Sequence, residues 1–129
     1  MTGRPGEPAR DRARRVRARA RGIWAERLAA ATLALKGYRV VARGFSCAGG
    51  EIDIVARRRR TLAFVEVKYR RDADAAPEAV TATKRRRIEH AARVYLTIHP
   101  GDAASDIRFD AVLLSPWRWP RHVAGAWRP

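Results

Sequence analysis

Apolar and polar side chains alternate most sharply in the middle of the chain. In EIDIVA (residues 51–56), Glu51, Asp53 and Val55 fall on one face of an extended segment and Ile52, Ile54 and Ala56 on the other. In TLAFVEVKY (residues 61–69), Glu66 and Lys68 share a face with Leu62 and Phe64. The RRRR between them predicts a hairpin with a basic turn. If residues 57–60 make the turn, Asp53 lies opposite Phe64; a six-residue loop places it opposite Glu66. Either register makes Asp53 and Glu66 direct or diagonal neighbours on one face.

Around this hairpin the periodicity changes. GIWAERLAAATLALK (22–36) is rich in helix formers, with Trp24, Leu28, Ala31 and Leu35 at helical spacing and Gly37 as the stop. Tyr38 to Ala42 reads as a first strand, ended by the loop around Gly44 and by Gly49-Gly50. A polar connection over 70–80 contains Pro77, after which Thr81 caps a helix running to about Ile98, its buried stripe marked by Ile88, Ala91, Tyr95 and Ile98. His99-Pro100-Gly101 closes that helix, and IRFDAVLLS reads as a further strand. The tail from Pro116 carries Trp117, Trp119 and Trp127 and ends in a short terminal element. The expected class is α/β, a mixed central sheet flanked by helices.

A length of 129 residues suits one domain, read here as 21–129, preceded by a flexible basic arm over 1–20, where large apolar groups are few and like charge is dense. The net charge of +15 exceeds what solubility requires and suits a polyanion, nucleic acid first. A membrane surface fits less well, because the basic residues alternate with Ala, Gly and Pro and do not line an apolar helix. Only Lys36, Lys68 and Lys84 of the 28 basic residues are lysines, which draws attention to them, since lysine alone of the two is a tunable charge. Cys47 is the sole cysteine, so no intrachain disulfide forms and a reducing compartment fits. With neither a secretory leader nor an apolar span, the expected location is the cytoplasm.

Asp53 sits between isoleucines and Glu66 between valines, in strands that otherwise read as core. Buried ionised carboxylates are costly without compensation, and Mg²⁺ or Mn²⁺ provides it through one or two carboxylates plus water and phosphate oxygens. Lys68 would then stand beside the metal, where it could orient the attacking water and offset phosphate charge. The plainer reading is a hairpin with one solvated face and a Glu66–Lys68 ion pair. Lys84 reads either as a phosphate or acidic-site contact at a helix start or as a lysine extending past the core. Glu51 is a wetter member of the acidic face, and Asp110 pairs with Arg108 as a structural element. The clusters containing Arg57 and Arg58, Arg70 and Arg71, and Arg85 read as phosphate contacts that position substrate. His90, His99 and His122 have no metal-ligand spacing.

The segments GGEIDIVA, FVEVKYR, KRRRIEHAARVYL and RFDAV, in this order, resemble the YraN family of predicted bacterial endonucleases, over residues 22–127. The resemblance implies a restriction-endonuclease-like PD-(D/E)xK fold distantly related to Holliday junction resolvases. Asp53 would be the motif's first acid, Glu66 its second and Lys68 its lysine. Glu26 would be an additional helix-borne carboxylate, making Asp53, Glu66 and Glu26 the metal set. On a helical wheel Glu26 lies opposite the Trp24 and Leu28 stripe, among Gly22, Ala29, Ala30 and Leu33, so it reaches the metal through water if that side is covered and is an ordinary exposed glutamate if not. The expected function is metal-dependent hydrolysis of phosphodiester bonds in DNA, at branched or junction structures. Resolvase-like enzymes commonly act as dimers, so a homodimer is implied, although no dimer motif is visible. The alternatives are a non-catalytic nucleic-acid-binding module and a small factor whose arginines meet an acidic protein.

Overall fold

The computed structural model describes residues 9–71 and 80–129. Helix α1 (Ala9–Leu35) precedes β1 (Arg39–Cys47), β2 (Gly50–Arg58) and β3 (Thr61–Tyr69). Helix α2 (Ala82–Ile98) and a turn of 3-10 helix (Pro100–Asp102) lead to β4 (Asp106–Leu114) and β5 (Arg121–Trp127). The five strands form one sheet in chain order, antiparallel except for the parallel pair β3–β4. A parallel pair needs a crossover, and α2 lies in that connection.

Each helix covers one face. On the α2 side, Ile88, Ala91, Ala92 and Tyr95 pack on Val55, Leu62, Phe64 and Phe109. On the other, Ala25, Ala29, Ala30 and Leu33 of α1 pack on Ile54, Ala56, Ala63 and Val65. The mixed sheet between helices is the expected α/β class and is consistent with a restriction-endonuclease-like fold. No helix among the described residues is long and apolar enough to cross a membrane.

Several boundaries differ from expectation for identifiable reasons. Helix α1 begins at Ala9, so residues 9–20, read as part of an arm, continue the helix; Arg and Ala are both good helix formers. Residues 1–8 of that arm, and Pro77 with most of the polar connection, lie outside the described residues. Strand β1 runs through Gly44 to Cys47, because Gly44 takes φ +63° and an irregularity between Val40 and Ala42 absorbs the change of register. The basic turn is two residues, Arg59-Arg60, with Arg59 at φ +56° and Arg58 paired to Thr61. Ile98 is 59% exposed at the end of α2 and leaves the buried stripe.

The most consequential difference is the face that α1 buries. Trp24 is 56% and Leu35 89% exposed, while the alanine face is closed against the sheet. Alanines on the helix meet Ala56 and Ala63, and small residues on both sides let the layers approach closely. Glu26 therefore lies at the flank of the covered face, half-buried, and not on the solvent side.

The short terminal element is a fifth strand. RHVAGAW has little strand propensity of its own; it is held by pairing Ala111 with Val123 and Leu113 with Arg121. Where that register breaks, the Gly125 amide donates to Asp110 Oδ1 at 2.9 Å. Asp110, fully buried, also accepts from Arg108 through both oxygens at 2.7 Å, as expected of that pair, and from His122 Nε2 at 2.8 Å. Lys36 Nζ donates to His122 Nδ1 at 2.6 Å, so a single neutral tautomer satisfies both ring nitrogens. This network ties β4, β5 and the corner after α1 together.

Candidate active site

The β2–β3 ladder runs from Arg58 and Thr61 to Ile54 and Val65, and there it stops. One step further, Asp53 would face Glu66. Beyond that point β2 pairs with β1 alone, Glu51 with Ser46 and Ile52 with Phe45, while Glu66 to Tyr69 pair with Ala111 to Leu114 of β4. The strands fork, and a fork would orphan a backbone donor. Asp53 resolves this: its Oδ2 accepts the Val67 amide at 2.8 Å.

Glu66 lies in the same fork and is 4% exposed. Its carboxyl is pushed up to about 8, first by burial and then by its hydrogen bond to, and the charge of, Asp53; Lys84 and Lys68 act in the opposite direction. Lys68 follows two residues later on the same strand face, half-buried.

Helix α2 closes one side. Thr81 Oγ1 caps it by accepting the Lys84 amide at 3.2 Å. Lys84 Nζ lies 2.8 Å from Glu51 Oε1 and 4.0 Å from Glu66 Oε2. Arg87 reaches Glu51 Oε2 at 2.9 Å. Glu51 is held down to about 2 by its hydrogen bonds from Arg87 and then Lys84. Burial works against the Lys84 ammonium, yet the Glu51 hydrogen bond and the field of Glu66 outweigh it and hold its pKa above the usual lysine value. Gly50 makes the approach possible: a Cβ there would stand 2.2 Å from the Arg87 carbonyl oxygen.

From the α1 side comes Glu26, whose pKa is raised by burial and then by the charge of Asp53, against the pull of Arg43. Asp53, Glu66, Lys68, Glu51 and Lys84 thus gather at one fork, with Glu26 in electrostatic range. Among the described residues, no three His, Cys, Asp or Glu side chains converge as a ready-made metal cage. The tightest acidic set is the pair Asp53 and Glu66. Two hard oxygen donors beside two ammonium groups form a site able to take a divalent cation and an anion together.

A family model described as "Uncharacterised protein family UPF0102" matches residues 25–114. The chain belongs to UPF0102. UPF0102 proteins of Methylorubrum extorquens and Methylobacterium nodulans are 53% and 52% identical to it, covering 92% and 95% of this chain and 93% and 94% of their own lengths. A UPF0102 protein of Parvibaculum lavamentivorans is 56% identical over 84% of this chain and 81% of its own. The family description names no activity. The stretch matched takes in Glu26, Glu51, Asp53, Glu66, Lys68 and Lys84 alike.

The basic residues of this UPF0102 chain divide by position. Arg70 and Arg71 follow β3 directly, at the Lys68 end of the sheet. Arg57 and Arg58 lie at the other end of the hairpin, roughly 13–17 Å along β2 from Asp53. Arg57 is ion-paired to Asp102 at 2.9 Å and donates to Ser105, and Arg58 donates to the Lys36 carbonyl and lies over the Tyr38 ring. Arg85 donates to the Val80 carbonyl and lies over Trp127. Lys84, expected as a phosphate or acidic-site contact, makes the acidic-site contact, to Glu51 and Glu66. Sequence reasoning missed Arg43 and the Arg87 hold on Glu51. The Arg87 contact has a visible signal, a glycine before Glu51 opposite a basic helix start; nothing in the sequence points to Arg43.

Proposed function

We propose that this UPF0102 chain is a divalent-metal-dependent endonuclease hydrolysing phosphodiester bonds in DNA. The observation that carries this reading is the carboxylate pair at the β2–β3 fork: Glu66 is buried beside Asp53, and its proton is held to about 8 by burial first and then by Asp53. Asp53 accepts the Val67 amide through Oδ2 and is hydrogen-bonded to the protonated Glu66; a cation replacing that shared proton would meet two carboxylates, so the residues fit a Mg²⁺ or Mn²⁺ site completed by water and phosphate. When bound, the ion supplies Lewis-acid polarisation and a more acidic water.

The chain's own groups then have separable tasks. Lys68 carries positive charge beside the attacked phosphate and orients the water. Lys84, anchored through Glu51, limits the repulsion at Glu66 without occupying the fork. Glu26 approaches Asp53 from the α1 side and would join the residues that hold the metal. The net charge of +15 draws the polyanion, and Arg70 and Arg71 extend that charge from the Lys68 end of β3. Branched or junction DNA as substrate, and a homodimer as the working form, rest on the resemblance to resolvase-like nucleases.

The test is a panel of branched, nicked, single-stranded and duplex DNAs and RNAs with Mg²⁺, Mn²⁺ or chelator. Cleavage confined to the metal lanes and lost in Asp53→Asn supports the proposal. Lys84, 4.0 Å from Glu66, favours a second reading in which the pair is retained in a non-catalytic nucleic-acid-binding module. Salt-sensitive binding with no cleavage of any substrate would select that reading.

A further inference from the structure

The segment from Ser115 to Pro120 joins β4 to β5, and two of its residues are tryptophans turned fully outwards: Trp117 is 101% and Trp119 92% exposed. Trp117 also holds φ +64°, a left-handed conformation that is costly for a bulky residue and is kept where function or surroundings demand it. The chain has the means to bury this side chain. Trp127 is 7% exposed, stacks on Phe109 and donates to Glu89 at 2.9 Å. Two bare indoles on one turn are therefore a local choice of the loop. Pro116 and Pro120 flank them and reduce the conformational freedom lost when the rings engage a ligand.

Their place in the sheet indicates the ligand. Lys68 pairs with Leu113, and Leu113 pairs with Arg121, which forms a row across β3, β4 and β5. Two strand spacings plus the two residues back to Trp119 place its backbone within about 17 Å of Lys68. The turn thus stands at the acidic end of the sheet, with Arg118 between the rings in sequence and Arg121 just beyond. A lipid-binding patch would pair tryptophan with apolar neighbours. Here the neighbours are arginines and prolines on a chain of charge +15.

We infer that the turn Pro116–Pro120 is a stacking platform for unpaired nucleobases of the DNA strand whose phosphates reach Asp53, Glu66 and Lys68; this rests on the nuclease reading above. Aromatic faces accept any unstacked base, whereas a continuous duplex keeps its base faces covered. The platform would select strands with unpaired bases at or near the cut.

The test uses the full chain, its Trp117→Ala/Trp119→Ala variant and the corresponding Phe pair. Equilibrium binding is measured in chelator to single-stranded oligothymidylate and to a blunt duplex of equal length, each across a salt titration. The alanine pair should lose about tenfold or more in single-strand affinity. Duplex affinity and the salt slopes should stay unchanged, and the phenylalanine pair should recover most of the loss. Equal loss on both DNAs, or no loss on the single strand, overturns the platform. So does alanine-sensitive binding to phosphatidylglycerol vesicles with single-strand binding intact. Because binding is read in chelator, the two proposals fail separately. Alanine-sensitive single-strand binding without metal-dependent cleavage sinks the endonuclease and keeps the platform, and cleavage with alanine-insensitive binding does the reverse.

Discussion

Glu66→Gln removes the ionisable group from the fork while keeping side-chain shape and a donor towards Asp53. The Glu66 carboxyl is held at about 8 against 4.5 for an ordinary glutamate, mainly by burial. Between those values the native state keeps a proton that the unfolded chain releases, so stability falls as pH rises through the window and levels off above it. At pH 7 the cost of holding that proton is about 3 kcal/mol. Glutamine carries no such cost. In chelator the variant should therefore exceed the wild type by up to about 3 kcal/mol at neutral pH, with the difference shrinking to nothing below the ordinary glutamate pKa. Urea denaturation followed by circular dichroism at acidic, neutral and mildly alkaline pH measures this directly. Added Mg²⁺ should stabilise the wild type by mass action and leave the variant unmoved, and metal-dependent cleavage should disappear. A glutamine variant less stable than wild type at neutral pH in chelator, or a difference insensitive to pH, would show that Glu66 is a satisfied structural carboxylate.

Three further outcomes are expected. Lys68→Ala should fold and bind DNA nearly as wild type but cleave about 100-fold more slowly or worse under single-turnover conditions, with Lys68→Arg also impaired; a wild-type rate in the alanine variant removes the lysine from the mechanism. Asp110→Asn should cost about 3 kcal/mol or more in urea denaturation, because it strands Arg108 beside a buried site. Burial raises the Asp110 pKa, but Arg108, His122 and the Gly125 amide bring it from 3.8 to about 2. Its contribution should therefore be present above the ordinary aspartate pKa and lost as pH falls towards 2, a loss that Asn flattens; an unchanged midpoint contradicts this. Gly50→Ala places a Cβ 2.2 Å from the Arg87 carbonyl oxygen, so α2 must shift, at a cost of about 1–3 kcal/mol in the melt together with loss of the Glu51 hold on Lys84. A wild-type melting temperature would show that the helix gives way freely.

The strand alternation and the Thr81 cap were legible because each depends on neighbours close in sequence. Period-two spacing puts Glu66 and Lys68 on one face of β3, and the observed register extended by one step sets Asp53 level with Glu66. In β2 the expected alternation fails at Asp53, since Ile52 packs with Val55 on the α2 side while Ile54 and Ala56 pack on the α1 side. The fork itself was not legible, since it depends on the Asp53 carboxylate replacing a strand partner for Val67. The buried face of α1 was misread because Trp24 and Leu28 are the larger apolar residues, whereas close packing on Ala56 and Ala63 selects alanines. Of the two positions left open for Glu26, a covered side or an exposed one, that packing selects the covered side, in electrostatic range of Asp53. Strand β5 escaped notice because pairing to β4, and not its own composition, makes it a strand.

Two buried acids in one sheet differ in the partners they meet. Asp110 is fully buried and Glu66 nearly so, and burial raises the pKa of both. Asp110 meets a bidentate arginine, a histidine and a backbone amide, and ends at about 2. Glu66 meets another carboxyl, with its nearest ammonium 4.0 Å away and committed to Glu51 at 2.8 Å, and ends at about 8. The fold thus surrounds one buried acid, on β4, with cationic and amide donors and pairs another, on the neighbouring strand β3, with a carboxyl. An uncompensated group at an open fork is a standing cost to stability, and such costs concentrate where a ligand offsets them. Under the proposed function, the acid whose hydrogen-bond partner is another carboxyl is the one for which an outside cation would be the fitting counterpart. The opposite responses expected of Asp110→Asn and Glu66→Gln, one destabilised and the other stabilised in chelator, follow from that difference in partners and from nothing else in their burial.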